Sequence, residues 1–156
     1  AYANQYVAEI ENEVDGDRLS NSQRHVIALL LMRKVAEAFD SGEDPYSAKV
    51  MSAELDLPYG VTSRVLDLMV EAKLLSELEN SNKDASSYLP HRSLERLYVD
   101  DVVRAIDLVG FTEIPQLKDP VYNDYFVKYS ELREAMKDAG ENLLVRDLPE
   151  VEVERK

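Results

Sequence analysis

The chain has 156 residues, 45% of them apolar and 31% charged, with 31 acidic against 18 basic side chains and a formal charge of −13. That length and balance suit one globular domain with appendages, and the acidic excess sets up a field that repels phosphate backbones. The lack of cysteine excludes disulfides, cysteine zinc sites and thiol nucleophiles. It is consistent with a reducing compartment.

The longest apolar run, 26–32, falls well short of the roughly 18–20 residues that span a bilayer. No signal-peptide pattern is present. The chain opens on AYANQ without an initiator methionine, which raises the expectation of a piece cut from a longer protein.

In chain order, residues 1–14 carry Tyr2, Tyr6, Val7 and Ile10 at helical spacing and predict a short amphipathic helix. Asp15-Gly16-Asp17 breaks it. A second helix is expected over 22–39, capped by Ser20, Asn21 or Ser22 and stopped by Asp40-Ser41-Gly42. Its apolar residues lie nearly all round, so it is either central in the core or shared with a second surface.

Residues 46–55 predict the next helix, with Val50, Met51 and Leu55 inward. Leu57-Pro58-Tyr59-Gly60 forms a turn, and proline suits a helix start. The following helix carries Val61, Val65, Leu68, Met69 and Ala72 inward and Thr62, Ser63, Arg64, Asp67 and Glu71 outward. A strand over 74–78, a polar turn at 80–84 and a returning strand over 87–89 complete the order of a winged helix-turn-helix. The fold class is therefore mainly α with a small β-hairpin, flanked by N- and C-terminal helices.

Leu97-Tyr98-Val99 predicts a further short strand, and Asp100 caps a helix with Val102, Val103, Ile106 and Val109 on its apolar face, ended by Gly110. A proline-interrupted linker covers 111–120. Residues 121–139 form an aromatic-rich helix with Tyr122, Tyr125, Phe126 and Tyr129, expected to pack back onto the domain. The tail from Leu148 lacks a pattern and is expected to be loose. The organisation is thus 1–19 as N-terminal helix and linker, 20–110 as the winged-helix domain, 111–147 as C-terminal linker and helix, and 148–156 as tail.

A winged helix that grips DNA needs basic groups on its recognition helix and wing. From Tyr59 to Asp84 the basic residues are Arg64, Lys73 and Lys83 and the acidic ones Asp67, Glu71, Glu77, Glu79 and Asp84, a local charge of −2. That count disfavours nucleic acid. Arg64, Asp67, Glu71 and Lys83 are instead the candidate surface for a protein partner, and the all-round apolar helix and the flanking helices also suit a homodimer.

Candidate catalytic groups are few. Asp100, Asp101 and Asp107 form the densest acidic cluster, but the first two sit where a helix start favours acids. Asp107 lies two turns on, too far to share an ion with them. His25, at the start of an apolar helix, is expected to be partly buried or bonded to a partner; His91 is placed to pair with a nearby acid. Neither makes a zinc site alone. No phosphate-binding glycine loop or serine nucleophile elbow occurs. No catalytic, metal or cofactor residue is assigned.

Three stretches, RHVIALLLMRKVAEAFDSGEDPYSAKVMSAELDLP, VTSRVLDLMVEAKLL and YLPHRSLERLYVDDVVRAIDLVG, resemble the C-terminal extension of YihY/BrkB-type membrane proteins, also called the ribonuclease BN-like family. The resemblance covers residues 1–110. It implies a non-catalytic domain on the cytoplasmic face of the inner membrane, following the last transmembrane helix and serving protein association or regulation of the membrane part. The family name also carries a ribonuclease label for transfer-RNA processing, with no catalytic motif among these residues.

Leu57-Pro58, Lys73-Leu74-Leu75 and the 102–107 helix are also similar to winged-helix repressors that hold an iron–sulfur cluster. The alternative expectation is accordingly a DNA-binding transcriptional regulator of that type without the cluster, since the cysteine ligands are absent.

Overall fold

The computed structural model describes residues 18–79 and 85–153. The helix expected over 1–14 and the turn at 80–84, with Lys83, lie outside the described residues. The described elements are α1 (Asn21–Ser41), α2 (Ala48–Leu55), α3 (Tyr59–Glu71), β1 (Leu75–Leu78), β2 (Ser87–Pro90), α4 (Val99–Asp107) and α5 (Asn123–Lys137). Short 3-10 turns lie at Leu94–Arg96, Pro115–Lys118, Pro120–Tyr122 and Val145–Asp147.

Helix α1 starts at a capping box. Ser20 Oγ accepts the Gln23 N–H at 3.2 Å, and Gln23 Oε1 accepts the Ser20 N–H at 2.9 Å, satisfying two donors the helix leaves open. It ends on Gly42, whose φ of +73° suits a residue without Cβ. Between these caps α1 is the centre of the molecule, touching β2, α3, α4 and the Val145–Asp147 turn.

Leu31, Met32, Val35, Met51, Leu66, Met69, Leu74 and Val102 are all fully enclosed and form one core with Leu97 and Val145. Each side chain of that size contributes about 1.5–3 kcal/mol by leaving water. Val26 and Phe39 on the same helix remain more than half exposed, because a 21-residue helix that is apolar all round presents more greasy surface than one small core can cover.

Several expectations shift in detail. Val50 points outward, 43% exposed, while Met51 and Leu55 take the core positions of α2. Where a strand is expected at Leu97-Tyr98-Val99, Leu97 instead follows the Leu94–Arg96 3-10 turn, Tyr98 makes a single β-bridge to Leu144, and Val99 opens α4. A strand there would need a partner of several residues, and among the described residues the sheet holds only β1 and β2. The tail is anchored at its start: Arg33 Nε donates to the Leu148 carbonyl at 2.8 Å and Leu148 packs on the core.

Helix α5 departs furthest. None of its residues is buried, and it meets the domain through Arg133, whose guanidinium bonds Asp100 at 2.8 Å, with its aromatic residues left exposed.

Candidate nucleic-acid interface

Helices α2 and α3 meet through a tight turn. Asp56 closes α2 in the left-handed region at φ +51°, a conformation that aspartate tolerates better than most side chains. The N–H of Leu57 then bonds the Ser52 carbonyl at 2.9 Å. Pro58 sits at the N-cap of α3 with φ −57°, the value its ring imposes.

Thr62, expected on the outward face, is 0% exposed. Its Oγ1 donates to the Pro58 carbonyl at 3.1 Å, so the hydroxyl is satisfied within the helix and its methyl is free to pack inward. The outer face is therefore Tyr59, Ser63 and Arg64 in the first half of α3, then Asp67 and Glu71 in the second.

The hairpin is set against this helix. In its register Leu75 opposes Pro90, Ser76 opposes Leu89, Glu77 opposes Tyr88 and Leu78 opposes Ser87. The Tyr88 N–H bonds the Tyr46 carbonyl at 3.1 Å and Ser47 bridges Ser87, so the wing is tied to the entrance of α2. Lys73 takes φ +58° just beyond α3, where the Leu74 N–H returns to the Met69 carbonyl at 2.9 Å. Arg92 closes that end: Nε donates to the Lys73 carbonyl at 3.1 Å and Nη2 to the Ala72 carbonyl at 3.2 Å. A guanidinium on the last carbonyls of a helix also complements its dipole.

The charges on this face segregate. The Asp67 carboxyl is raised above its ordinary value, chiefly by burial, then by Glu77 and Glu71, with Arg64 opposing. Tyr88, 6% exposed, is pushed up to about 12 by burial, then by Glu77, Asp67 and Tyr59. The carboxylates thus gather where the second half of α3 meets β1, and the first half carries only neutral groups and Arg64.

The other sequence candidates separate. Asp101 does cap α4, its Oδ2 accepting the Tyr98 N–H at 2.9 Å. Asp100 does not: its Oδ1 accepts Arg133 Nη2 of α5 at 2.8 Å, and its Oδ2 lies 3.5 Å from Arg104 Nε. Asp107 Oδ1 lies 2.7 Å from His25 Nε2, joining α4 to α1. His91, expected beside an acid, instead has Nδ1 2.8 Å from Ser76 Oγ. Among the described residues no group of three or more histidines and carboxylates is placed to hold a metal ion.

The Asp100–Arg133 contact had no sequence signal, since 33 residues separate its members. Only the Asp100–Arg104 spacing of four could be read from the chain.

No family model matches the chain, and no curated protein matches it. Solved structures do. The CymR (YrzC) global cysteine regulator of B. subtilis superposes with a TM-score of 0.55 at 16% identity, over 83% of this chain and 94% of that one. A putative transcriptional regulator from Listeria innocua gives 0.53 at 13%, over 80% and 81%. IscR of T. potens gives 0.50 at 19%, over 80% and 90%. The fold is the winged helix-turn-helix of these regulators, and none of the three is described as an enzyme.

One expectation is thereby overturned. Nucleic acid was disfavoured on a charge count over residues 59–84; the architecture is that of a global cysteine regulator and a putative transcriptional regulator, which points the other way. The count weighted Asp67 and Glu71 equally with the first turns of α3. In a helix-turn-helix those first turns enter the major groove.

Proposed function

We propose that the chain is a non-enzymatic winged-helix module of the transcriptional-regulator kind, which contacts duplex DNA through the first half of α3. The observation that carries this reading is the order of side chains along that helix. Tyr59, Ser63 and Arg64 precede the carboxylates, so the end that enters a groove carries hydrogen-bonding and cationic groups. Serine reaches either purine or pyrimidine edges, and arginine pairs in two hydrogen bonds with guanine or with phosphate.

The test is fluorescence anisotropy of a labelled random duplex at low ionic strength. Binding that weakens as salt rises, and weakens further in Arg64→Ala, supports the reading. No binding by the wild type, and none by Asp67→Asn/Glu71→Gln, refutes it.

A second reading is favoured by the carboxylate cluster of Asp67, Glu71 and Glu77. In it the same face meets protein, as the C-terminal cytoplasmic domain of a YihY/BrkB-type membrane protein. The Asp67→Asn/Glu71→Gln variant separates the two: it gains affinity for DNA in the first and loses a protein contact in the second.

A further inference from the structure

We propose that the groove between α1 and the C-terminal tail binds a small branched aliphatic carboxylate, with Arg33 holding the carboxylate group. Val26, Leu29 and Leu30 of α1, Leu55 of α2, and Leu148 and Val151 of the tail line a cavity of about 170 Å³. An apolar cavity of about 150 Å³ accepts a molecule of benzene's size in preference to water. The walls here are aliphatic, so the body that fills them is a compact hydrocarbon of about five or six carbons.

The charges at the rim define the other end of the ligand. Lys34 is satisfied, its Nζ lying 3.1 Å from Glu54 and 3.7 Å from Glu37. Arg33 is not. Its Nε donates to the Leu148 carbonyl at 2.8 Å, which fixes the plane of the guanidinium. The side chain is only 17% exposed, yet among the described residues neither Nη nitrogen makes a hydrogen bond.

The anion that Arg33 faces is Glu150, with Oε1 3.7 Å from Nη2 and its side chain 63% exposed. That separation exceeds hydrogen-bond reach, so Glu150 offsets the charge and leaves the fork of donors open. An open guanidinium fork beside an apolar cavity suits a carboxylate, taken in two parallel hydrogen bonds. The ligand's carboxylate thus replaces Glu150, which turns fully into water. No residue of α3 lines this site, so the inference does not rest on DNA binding, and its test contains no nucleic acid.

Proton–nitrogen correlation spectra of the labelled whole chain, titrated with isocaproate, are expected to show saturable shifts at Leu29, Arg33 and Leu148, with a Kd of about 1 mM. Isocaproamide has the same body without the charge and is expected to bind about tenfold more weakly. Isohexylamine, a cation of similar shape, is expected not to bind. Glu150→Gln removes the competing carboxylate and should tighten binding of isocaproate about threefold. Val26→Trp, at a position more than half exposed, places an indole over the cavity and should abolish binding.

No saturable shift up to about 20 mM isocaproate overturns the proposal, as does equal affinity for the amide or binding of the amine. Weaker binding in Glu150→Gln, or unchanged binding in Val26→Trp, overturns it too. Dodecanoate has a chain longer than the cavity; if it binds more tightly than isocaproate, the groove reads a lipid chain and the proposal fails. Should Val26→Trp misfold, the ligand series and Glu150→Gln decide the question alone.

Discussion

Asp100 joins α5 to the domain, and removing its carboxylate should loosen that joint measurably. The side chain is 6% exposed, and Arg133, which donates to it at 2.8 Å, is 12% exposed. Arg104 lies 3.5 Å from the other oxygen, which is buried without a hydrogen bond. Breaking a buried pair by deleting one member costs about 3–5 kcal/mol, because the survivor keeps a charge it cannot solvate. Here Arg133 belongs to a helix whose other residues all face water, so its guanidinium can swing out and recover part of that loss. The expected cost of Asp100→Ala is therefore about 2–3 kcal/mol. Asp100→Asn keeps an acceptor of the same shape and should cost about 1 kcal/mol. For a chain of this size 1 kcal/mol moves the melting temperature by roughly 2–4 °C. Thermal unfolding by circular dichroism should thus show falls of about 4–12 °C and 2–4 °C respectively. Protomer concentration must be held fixed, since self-association would make the midpoint depend on it. A shift under about 1 °C for Asp100→Ala would show that the pair behaves as an exposed ion pair, and would refute the burial argument.

Leu66 is fully enclosed in α3, so Leu66→Ala should cost about 2–5 kcal/mol in denaturant titration; a loss under 1 kcal/mol would mean the core collapses into the space. Tyr88 holds its proton to about 12 in the folded chain, whereas the unfolded chain releases it near its ordinary value of 10.0. Its stabilising contribution is complete below pH 10 and lost as pH rises to 12, a fall of about 2–3 kcal/mol that Tyr88→Phe should abolish. The Asp67 carboxyl is raised from 3.8, so its favourable contribution is present below that value and lost as pH climbs through the raised one. Asp67→Asn should therefore be neutral to stabilising at pH 7 and lose that advantage in acid, as read by chemical denaturation at both values.

The winged helix was legible because its parts are local. A cap among Ser20, Asn21 and Ser22, the Asp40-Ser41-Gly42 stop, the Pro58 start and a polar turn between two short apolar stretches are all written in the chain. Each depends on residues a few positions apart. Thr62 escaped because helical periodicity treats threonine as polar, yet its hydroxyl bonds back to the Pro58 carbonyl and removes the cost of burial. Asp100 escaped for the opposite reason: a first-turn acid reads as a cap, and only the three-dimensional approach of Arg133 shows a different partner. The aromatic run on α5 was visible, but its surroundings were not. An amphipathic period states which face is apolar and leaves open whether the cover comes from the same chain.

The acidic half of α3 bears on DNA in a way that salt can isolate. Arg64 lies three residues before Asp67, about 4.5 Å along the helix axis, well within the Debye length of about 8 Å at physiological ionic strength. A phosphate drawn to Arg64 therefore feels Asp67 as well. At about 8 Å in water two unit charges interact by about 0.5 kcal/mol, a factor of about 2 in affinity for each carboxylate. Neutralising both in Asp67→Asn/Glu71→Gln should raise affinity for duplex DNA about fourfold at low ionic strength, and twice that exponent if two copies bind together. As salt rises the gain should shrink towards unity, because the repulsion removed is screened as effectively as the attraction that remains. Anisotropy titrations of wild type and variant across a salt series read this as converging lines in log affinity against log salt. Parallel lines would show that the substitutions act through new contacts or altered folding. They would then remove charge segregation along α3 as the reason an acidic chain can approach DNA.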